Sequence, residues 1–226
     1  MALILNIDTA TEAAIISISE KDTVIEYVIN NNQKDHASFL QPAIKTLLQK
    51  INLPITKLNA VAITAGPGSY TGLRVGMASA KGLCFALQIP MICNSTLEVL
   101  AISCSKHINE PSAWFCPMID ARRMEVFTAV YDGHMKEIIK PCAMVLDEGS
   151  FKDMLQSNKI YFSGSGMLKL KAILNNKNAF FIDKVISPDA MANFSYENYV
   201  QNNFANIYSS SPIYLKEFYS SSKPVG

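Results

Sequence analysis

Hydrophobic residues in the first thirty positions form three short runs that polar turns separate. The runs are LILNI at 3–7, AAIISIS at 13–19 and TVIEYVI at 23–29. Their length and their content of β-branched residues are typical of strands. The turns between them are too short for a crossover connection, so an antiparallel meander is expected at the start of the chain.

The pattern then changes to helical spacing. Apolar residues recur at intervals of three and four over about 36–50, which predicts a helix that holds Pro42 in its first turn or as a kink. Ser95 and Glu98 form a capping box for a later helix. The elements predicted after the first helix are a strand at 60–64, a helix of small residues at 72–88, a strand near 90–93 and a helix at 95–105.

The second half of the chain restarts the pattern after a polar stretch at 106–112. An apolar strand at 114–120 ends in Ile119-Asp120, as the first strand ends in Ile7-Asp8, and an alternating strand follows within 121–132. These are matching points of a faint internal duplication. The remaining predicted elements are a strand at 159–163, a glycine turn at 164–166, helices at 167–174 and near 189–205, and a strand at 212–218.

This order of elements predicts an α/β fold with two lobes and a cleft between them. The predicted lobes are residues 1–106, which include the two helices around the glycine turn, and residues 107–226. We expect the C-terminal tail of roughly 15–20 residues to pack back on the first lobe.

Composition favours a protein of the reduced cytoplasm without a membrane segment. Hydrophobic residues make up 49% of the chain, yet their runs stay well below the roughly 20 residues of a membrane helix. Asp8 interrupts the N-terminal run, which argues against a signal peptide. The five cysteines contain no C-x-x-C pair. A formal net charge of +1 without a basic run indicates that the chain does not grip nucleic acid by itself.

A glycine-rich turn, GPGSYTG at 66–72, joins the strand at 60–64 to the small-residue helix. It lacks the lysine of a phosphate loop, and its third glycine is one place late for a dinucleotide fingerprint. Pro67 and Thr71 stand where a nucleophile elbow needs glycine. The pattern therefore favours a structural turn, with Ser69 or Thr71 capping the helix, over catalysis by Ser69.

Two further residue types are candidates for chemistry. Asp8 directly follows the first strand and suits either a hydrated metal beside nucleotide phosphates or a turn that bonds its own backbone two residues on. Thr9 and Thr11 suit both alternatives. His36 has no partner histidine or carboxylate at a helical offset, so we expect it to cap or begin its helix. We predict no catalytic residue and no metal site.

Small side chains repeat every four residues on the second helix, at Gly72, Gly76, Ala80 and Cys84. An interior glycine costs about 1 kcal/mol relative to alanine, so the face requires a compensating contact. Close approach of another helix is the simplest explanation. That helix belongs either to the same lobe or to a partner.

Four motifs stand out along the chain: AITAGPGSYTGLRVGMASAKGLCFAL, which is the longest, IDTAT, IDARRMEVF and PIYLKEF. Together they resemble the bacterial TsaB family of tRNA threonylcarbamoyladenosine synthesis. The resemblance implies the duplicated, ribonuclease H-like fold of the actin, sugar-kinase and Hsp70 ATPase superfamily. It also implies a non-catalytic subunit that dimerises with the catalytic paralogue TsaD and activates it. The paralogue's H-x-x-x-H metal motif has no counterpart at His36.

Further expectations follow from this resemblance. The helices at 36–50 and 72–88 would form the interface with the TsaD-type paralogue, through Leu40, Ile44, Gly72, Leu73, Gly76, Met77, Ala80 and Cys84. A degenerate nucleotide cleft would comprise Asp8, Thr9, Thr11, Gly66, Gly68, Ser69, Asp120 and Gly164.

The resemblance also bears on partners and cofactors. It implies a TsaE-type ATPase as a further partner, a homodimer when the chain is alone, and contact with tRNA only through the complex. The chain would require no cofactor of its own, with ATP at a subunit junction left open. The alternative function is an active ATP-dependent phosphotransferase or hydrolase that uses the cleft between Asp8 and Gly164.

Overall fold

A computed structural model describes residues 2–32, 35–183 and 187–216. The first half contains β1 (Leu3–Asp8), β2 (Ala14–Glu20), β3 (Thr23–Asn30), α1 (His36–Lys50), β4 (Ala60–Gly66), α2 (Tyr70–Leu87), β5 (Met91–Ser95) and α3 (Thr96–Ser105), with a 3-10 turn at Ile55–Lys57. The second half contains β6 (Trp114–Asp120), β7 (Glu125–Tyr131), β8 (Glu137–Val145), α4 (Met154–Ser157), β9 (Ile160–Ser163), α5 (Met167–Lys171), β10 (Ala179–Ile182) and α6 (Pro188–Val200).

The ten strands of the described residues form two five-stranded sheets with the same topology. The first sheet has the order β3-β2-β1-β4-β5, and the second has the order β8-β7-β6-β9-β10. In each, three strands form an antiparallel meander, a fourth pairs in parallel with the first strand of the meander, and the fifth pairs in parallel with the fourth. The α/β fold and the internal duplication predicted from the sequence are therefore confirmed.

Burial follows from the place of each strand in its sheet. β1 is central in the first sheet, and five of its six residues are buried, because helices cover both faces. β3 lies at the edge and alternates between exposed and half-buried positions over most of its length. The predicted bounds of α1 and β6 agree with the structure because both elements have a clear periodicity.

Each sheet has one face covered by helices of its own half. On the first sheet, Leu40, Ile44 and Leu47 of α1 and Met77 and Ala80 of α2 pack against apolar residues of β1, β2 and β4. On the second sheet, α4 and α5 perform the same task, with Leu155, Met167 and Leu170 in contact with residues such as Phe162.

The other face of each sheet is covered by the last helix of the opposite half. Leu97 and Ala101 of α3 pack with Phe115 of the second sheet. Met191 of α6 packs with Ile4 of the first sheet, in a cluster that also contains Val99 of α3. Since α3 and α6 also contact each other, this exchange of helices joins the two lobes.

Several predicted elements need correction. The strands β8 and β10 were not predicted, because β8 is an edge strand whose apolar residues are mostly exposed or half-buried, and β10 has only four half-buried residues. α6 ends at Val200 rather than near 205. The predicted strand at 212–218 is absent over 212–216, where the backbone joins no sheet, and 217–218 lie outside the described residues. Pro42 lies inside α1.

The helices of the described part of the chain include none that is both long and apolar enough to cross a membrane.

One carboxyl group at the lobe junction is poorly solvated. Glu98 of α3 lies near two other acids, Glu137 of β8 and Glu197 of α6. Burial, with added repulsion from those two carboxylates, raises the pKa of Glu98 to about 7 from an ordinary value of 4.5. The buried Tyr131 lies near the same group. The junction therefore favours the protonated form of Glu98.

This pKa predicts a pH-dependent stability. Between about pH 4.5 and 7 the folded chain retains a proton that the unfolded chain releases, so stability falls as pH rises through this window. We expect Glu98→Gln to raise the free energy of unfolding by about 1 kcal/mol at pH 8, after allowance for solvent screening, and to leave it unchanged near pH 4. Urea unfolding at both pH values measures this. Glu148→Gln, at an exposed position, is the control, and equal effects of Glu98→Gln at both pH values would contradict the assignment.

Candidate functional site

The turns that follow β1 and β6 have the same local geometry. Asp8 Oδ1 accepts a hydrogen bond from the Ala10 N–H at 3.0 Å, and Asp120 Oδ1 accepts one from the Arg122 N–H at 2.6 Å. In both turns the carboxylate bonds the backbone two residues on. The two aspartates thus occupy equivalent positions in the duplication, and each stabilises the turn that follows its strand.

Asp8 is enclosed by the first lobe. The same Oδ1 atom also accepts a hydrogen bond from Thr64 Oγ1 at 2.8 Å, and only 8% of the residue is exposed. Burial raises the pKa of Asp8, although the hydrogen bonds from Ala10 and Thr64 and the charge of His36 oppose the shift. Of the two alternatives left open by the sequence, this geometry is that of the turn aspartate.

Asp120 lies at the surface of the cleft instead. Its Oδ1 atom also pairs with Lys169 Nζ at 2.8 Å. Partial burial acts to raise the pKa of Asp120, but the hydrogen bonds from Lys169 and the Arg122 N–H outweigh it and hold the pKa below its usual value. This carboxylate is therefore already neutralised by a lysine of its own lobe.

The glycine face of α2 packs against the turn after β1. A Cβ atom at Gly72 would collide with the carbonyl oxygen of Thr9, and one at Gly76 would lie 2.6 Å from Thr9 Oγ1. Thr9 Oγ1 in turn donates a hydrogen bond to the Gly72 carbonyl at 2.7 Å. The glycines are required because the backbone of the same lobe approaches α2 at this point.

Ser69 caps α2, as predicted. Its Oγ atom accepts a hydrogen bond from the Gly72 N–H at 3.3 Å. Within the described ranges that hydroxyl has no histidine or carboxylate as a hydrogen-bond partner. His36 is the first residue of α1 and is buried, with Nε2 at 3.0 Å from the Thr11 carbonyl, so it begins the helix and ties it to the β1–β2 turn.

The cleft between the lobes has a volume of about 980 Å³. Of the eight residues predicted for it, Thr11, Gly68, Ser69 and Asp120 line its wall. The other four, Asp8, Thr9, Gly66 and Gly164, lie outside that lining. Gly66 and Gly164 terminate β4 and β9 at equivalent points, both with positive φ values of 125° and 88°.

The hairpin between β6 and β7 supplies cleft residues that were not predicted to line it. Arg122 and Arg123 are exposed and adopt positive φ values of 72° and 48°. Such conformations are uncommon for residues other than glycine, asparagine and aspartate. Both arginines line the cleft, opposite Tyr70 at the start of α2. The sequence offered one signal for them, since the only three arginines of the chain lie in its two most motif-like stretches.

The eight residues predicted for the partner interface do not form an exposed surface, so that prediction is wrong. All eight of its residues are buried within the first lobe: Leu40, Ile44, Gly72, Leu73, Gly76, Met77, Ala80 and Cys84. Leu40, Ile44, Met77, Ala80 and Cys84 belong to the core cluster of the first sheet, and the two glycines contact the Thr9 turn. At Gly72 and Gly76 the stripe of small residues thus admits the Thr9 turn of the same lobe.

The opposite side of α2 is exposed and also contains small residues. Ala78 is exposed, a Cβ atom at Gly82 would meet nothing within 4 Å, and Phe85 is 57% exposed. Beside it, a groove of about 640 Å³ lies between α1 and α2, with Leu53, Ile55 and Leu83 among its partly exposed lining residues. We call this surface, comprising Ala78, Gly82, Phe85 and the groove, the outer helix face.

No group of three or more histidine, cysteine, aspartate or glutamate residues is placed to hold a metal ion in the part of the chain that the structure describes.

The sequence profile of the TsaD family, described as tRNA N6-adenosine threonylcarbamoyltransferase, matches residues 23–202, which is most of the chain. The chain belongs to the TsaD family. Within this family it is similar to proteins named tRNA threonylcarbamoyladenosine biosynthesis protein TsaB. It is 34% identical to the one from Bacillus subtilis over 139 residues and 34% identical to the one from Escherichia coli over 128 residues. The predicted TsaB resemblance is thereby confirmed.

These matches cover only part of each protein. They include 60% of this chain and 59% of the Bacillus subtilis protein, and 57% of this chain and 54% of the Escherichia coli protein. A Wigglesworthia glossinidia protein named tRNA N6-adenosine threonylcarbamoyltransferase is 28% identical over 214 residues, which include 86% of this chain and 62% of that protein. The chain thus spans somewhat more than half the length of these relatives.

Solved structures support the fold. A Pseudomonas aeruginosa protein described as similar to peptidase YeaZ superposes with a TM-score of 0.80 at 21% identity, covering 96% of this chain and 100% of that one. YeaZ from Pseudomonas aeruginosa superposes with a TM-score of 0.76 at 22% identity, covering 95% and 100%. At this identity the likeness concerns the architecture of the two lobes.

Two identical substitutions on α2 test the assignment of its two sides. We expect Gly72→Ala to lower the free energy of unfolding by about 2 kcal/mol, because the added Cβ meets the Thr9 carbonyl. Gly82→Ala should instead raise it by about 0.5–1 kcal/mol, because the space there is open and alanine favours the helix. Urea unfolding of both variants measures the difference. Effects of the same sign and size would show that the inner side is not tightly packed.

Proposed function

We propose that this TsaD-family chain is a non-catalytic scaffold subunit of tRNA threonylcarbamoyladenosine synthesis, which binds a TsaD-type transferase and activates it in the cytoplasm. The observation that carries the proposal is the outer helix face. It is an exposed surface of small and apolar residues on a rigid pair of helices, in a chain whose relatives are named for this modification.

The shape of the outer helix face suits a helix of a partner. Ala78 and Gly82 lie one helical turn apart and project little from the backbone, so a second helix can approach α2 closely. Phe85, one turn further, is a large exposed aromatic side chain of a kind that is enriched at protein interfaces. The groove beside it provides an apolar recess for a partner side chain.

The two helices hold this surface firmly in place. α1 and α2 are anchored by buried core residues on their inner sides. On the outer side, Gln41 Nε2 donates a hydrogen bond to Ser79 Oγ at 3.0 Å, which joins the two helices across the surface. Lys45 lines the groove and would suit a partner with an acidic group at the rim.

The absence of a catalytic role is supported by how the candidate groups are used. Asp8 satisfies its own turn and Thr64, Ser69 caps α2, and His36 contacts the Thr11 carbonyl. These three side chains are thus each engaged in holding the first lobe together. In this proposal the transferase supplies the chemistry, and this chain contributes through binding.

The further partners follow from the same role. We expect a TsaE-type ATPase to join the complex, tRNA to be contacted only through the complex, and the chain alone to form a homodimer through the outer helix face. A large apolar surface that is designed for burial favours self-association when its partner is absent. ATP, if it acts on this assembly, would bind at the junction of subunits.

Substitution of the outer helix face should abolish the complex without unfolding the chain. We expect Phe85→Glu combined with Gly82→Arg to weaken binding to the purified TsaD-type partner by tenfold or more, because charge replaces the anchor and the close contact. Size-exclusion chromatography and interferometry measure this. Leu168→Glu is the matched control, since Leu168 is 59% exposed on α5 of the other lobe. Undiminished binding in the double variant would refute the proposed surface.

Calorimetry distinguishes a scaffold from an active nucleotide enzyme. We expect the isolated chain to show neither tight binding of ATP with magnesium nor turnover, because its buried Asp8 is committed to Ala10 and Thr64. The complex with the partner is titrated in parallel. Hydrolysis or phosphotransfer by the purified single chain would contradict the scaffold role and favour a phosphotransferase or hydrolase.

A further inference from the structure

The residues from 212 to 216, which we call the C-terminal strap, run along the cleft between the lobes. Ile213, Tyr214, Leu215 and Lys216 all contribute to the cleft wall. The strap joins neither sheet. It approaches the cleft after residue Ala205, whose N–H donates to the Met91 carbonyl at the start of β5 with a distance of 2.8 Å.

One end of the strap is anchored to the first lobe. The Ile213 N–H donates a hydrogen bond to the Ala65 carbonyl at 2.7 Å. At the next residue, Gly66, an added Cβ would lie 2.5 Å from the Ile213 carbonyl oxygen, so the strap seats directly on the backbone that ends β4. The Tyr214 ring lies against Tyr70 of α2, with 5.4 Å between the ring centroids.

The other end of the strap reaches the second lobe. Lys216 Nζ forms an ion pair with Glu125 Oε2 at the start of β7. Glu125 belongs to the hairpin that presents Arg122 and Arg123 to the cleft. A segment five residues long therefore connects the end of β4 in one lobe with the β6–β7 hairpin in the other.

We propose that the C-terminal strap is a releasable clamp that holds the two lobes at their separation across the cleft. The lobes also meet through α3 and α6, which provide a place about which they can rotate. The anchor at Ile213 is a backbone hydrogen bond on the first lobe, whereas the contact with the second lobe is a partly exposed ion pair. Because exposed ion pairs contribute little net stability, the clamp opens at Lys216.

This inference does not depend on the proposed scaffold function. The clamp concerns the cleft, whereas binding of the partner is assigned to the outer helix face of α1 and α2. A ligand or partner segment that enters the cleft would contact strap residues directly, so occupancy of the cleft and release of the strap are coupled.

Charge reversal and charge exchange at the ion pair test the clamp in the full chain. Lys216→Glu and Glu125→Lys each place like charges together, while the double variant restores an opposite pair in reversed order. Lys159→Glu is the matched control, since Lys159 pairs with Glu110 within the second lobe at similar exposure, 50% and 26% against 46% and 19%. Ile213→Pro removes the N–H at the first-lobe anchor as an independent second variant.

Spin labels report the separation of the lobes. Cysteines introduced at the exposed positions Ser38 and Lys152 carry the labels, in a background where the half-buried Cys93 and Cys142 are replaced by alanine. The three remaining thiols, Cys84, Cys104 and Cys116, are buried and do not compete. Double electron–electron resonance then gives the distance distribution between the lobes.

The clamp predicts a specific pattern of distances. Lys216→Glu, Glu125→Lys and Ile213→Pro should each shift molecules away from the interlobe distance of the parent chain. The ratio of shifted to unshifted molecules should rise by roughly fivefold. The charge exchange and Lys159→Glu should keep the distribution of the parent chain. Single reversals that leave the distribution unaltered, or an exchange that fails to restore it, would overturn the proposal.

Discussion

The contact between the Thr9 turn and the glycine face of α2 is the constraint on which the first lobe depends. Thr9 Oγ1 bonds the Gly72 carbonyl, and the backbone approach at Gly72 leaves no space for a side chain. This contact fixes the start of α2 against the end of β1. It therefore determines the position of the cleft wall at Ser69 and the direction in which the opposite side of α2 faces.

Much of the architecture could be predicted from the sequence, because periodicity reports burial directly. α1 and β6 were predicted with their observed bounds, and the repeated Ile-Asp ending marked the duplication. The edge strand β8 and the short β10 gave no such signal, since their residues are only partly buried. The apolar pattern of the strap was mistaken for a strand, although its described backbone bonds Ala65 alone in the first sheet.

The site was predicted less well than the fold, and the reason is physical. Small residues at Gly72, Gly76 and Ala80 indicate close approach, but a sequence does not tell whose backbone approaches. The same helix has small residues on both sides, and only the packing of the Thr9 turn distinguishes them. The cleft shows a similar limit, because Tyr214 and Lys216 enter it from the far end of the chain.

The exchange of α3 and α6 between the sheets has a consequence for how such a duplicated protein can change. Each half requires a helix encoded in the other to close its core, so neither half can be excised as an autonomous fragment without leaving an apolar sheet open to water. The two copies of the fold are in this way joined into one cooperative unit. Unfolding of either half would expose the sheet face that the other half's helix covers, so the two halves are expected to unfold together.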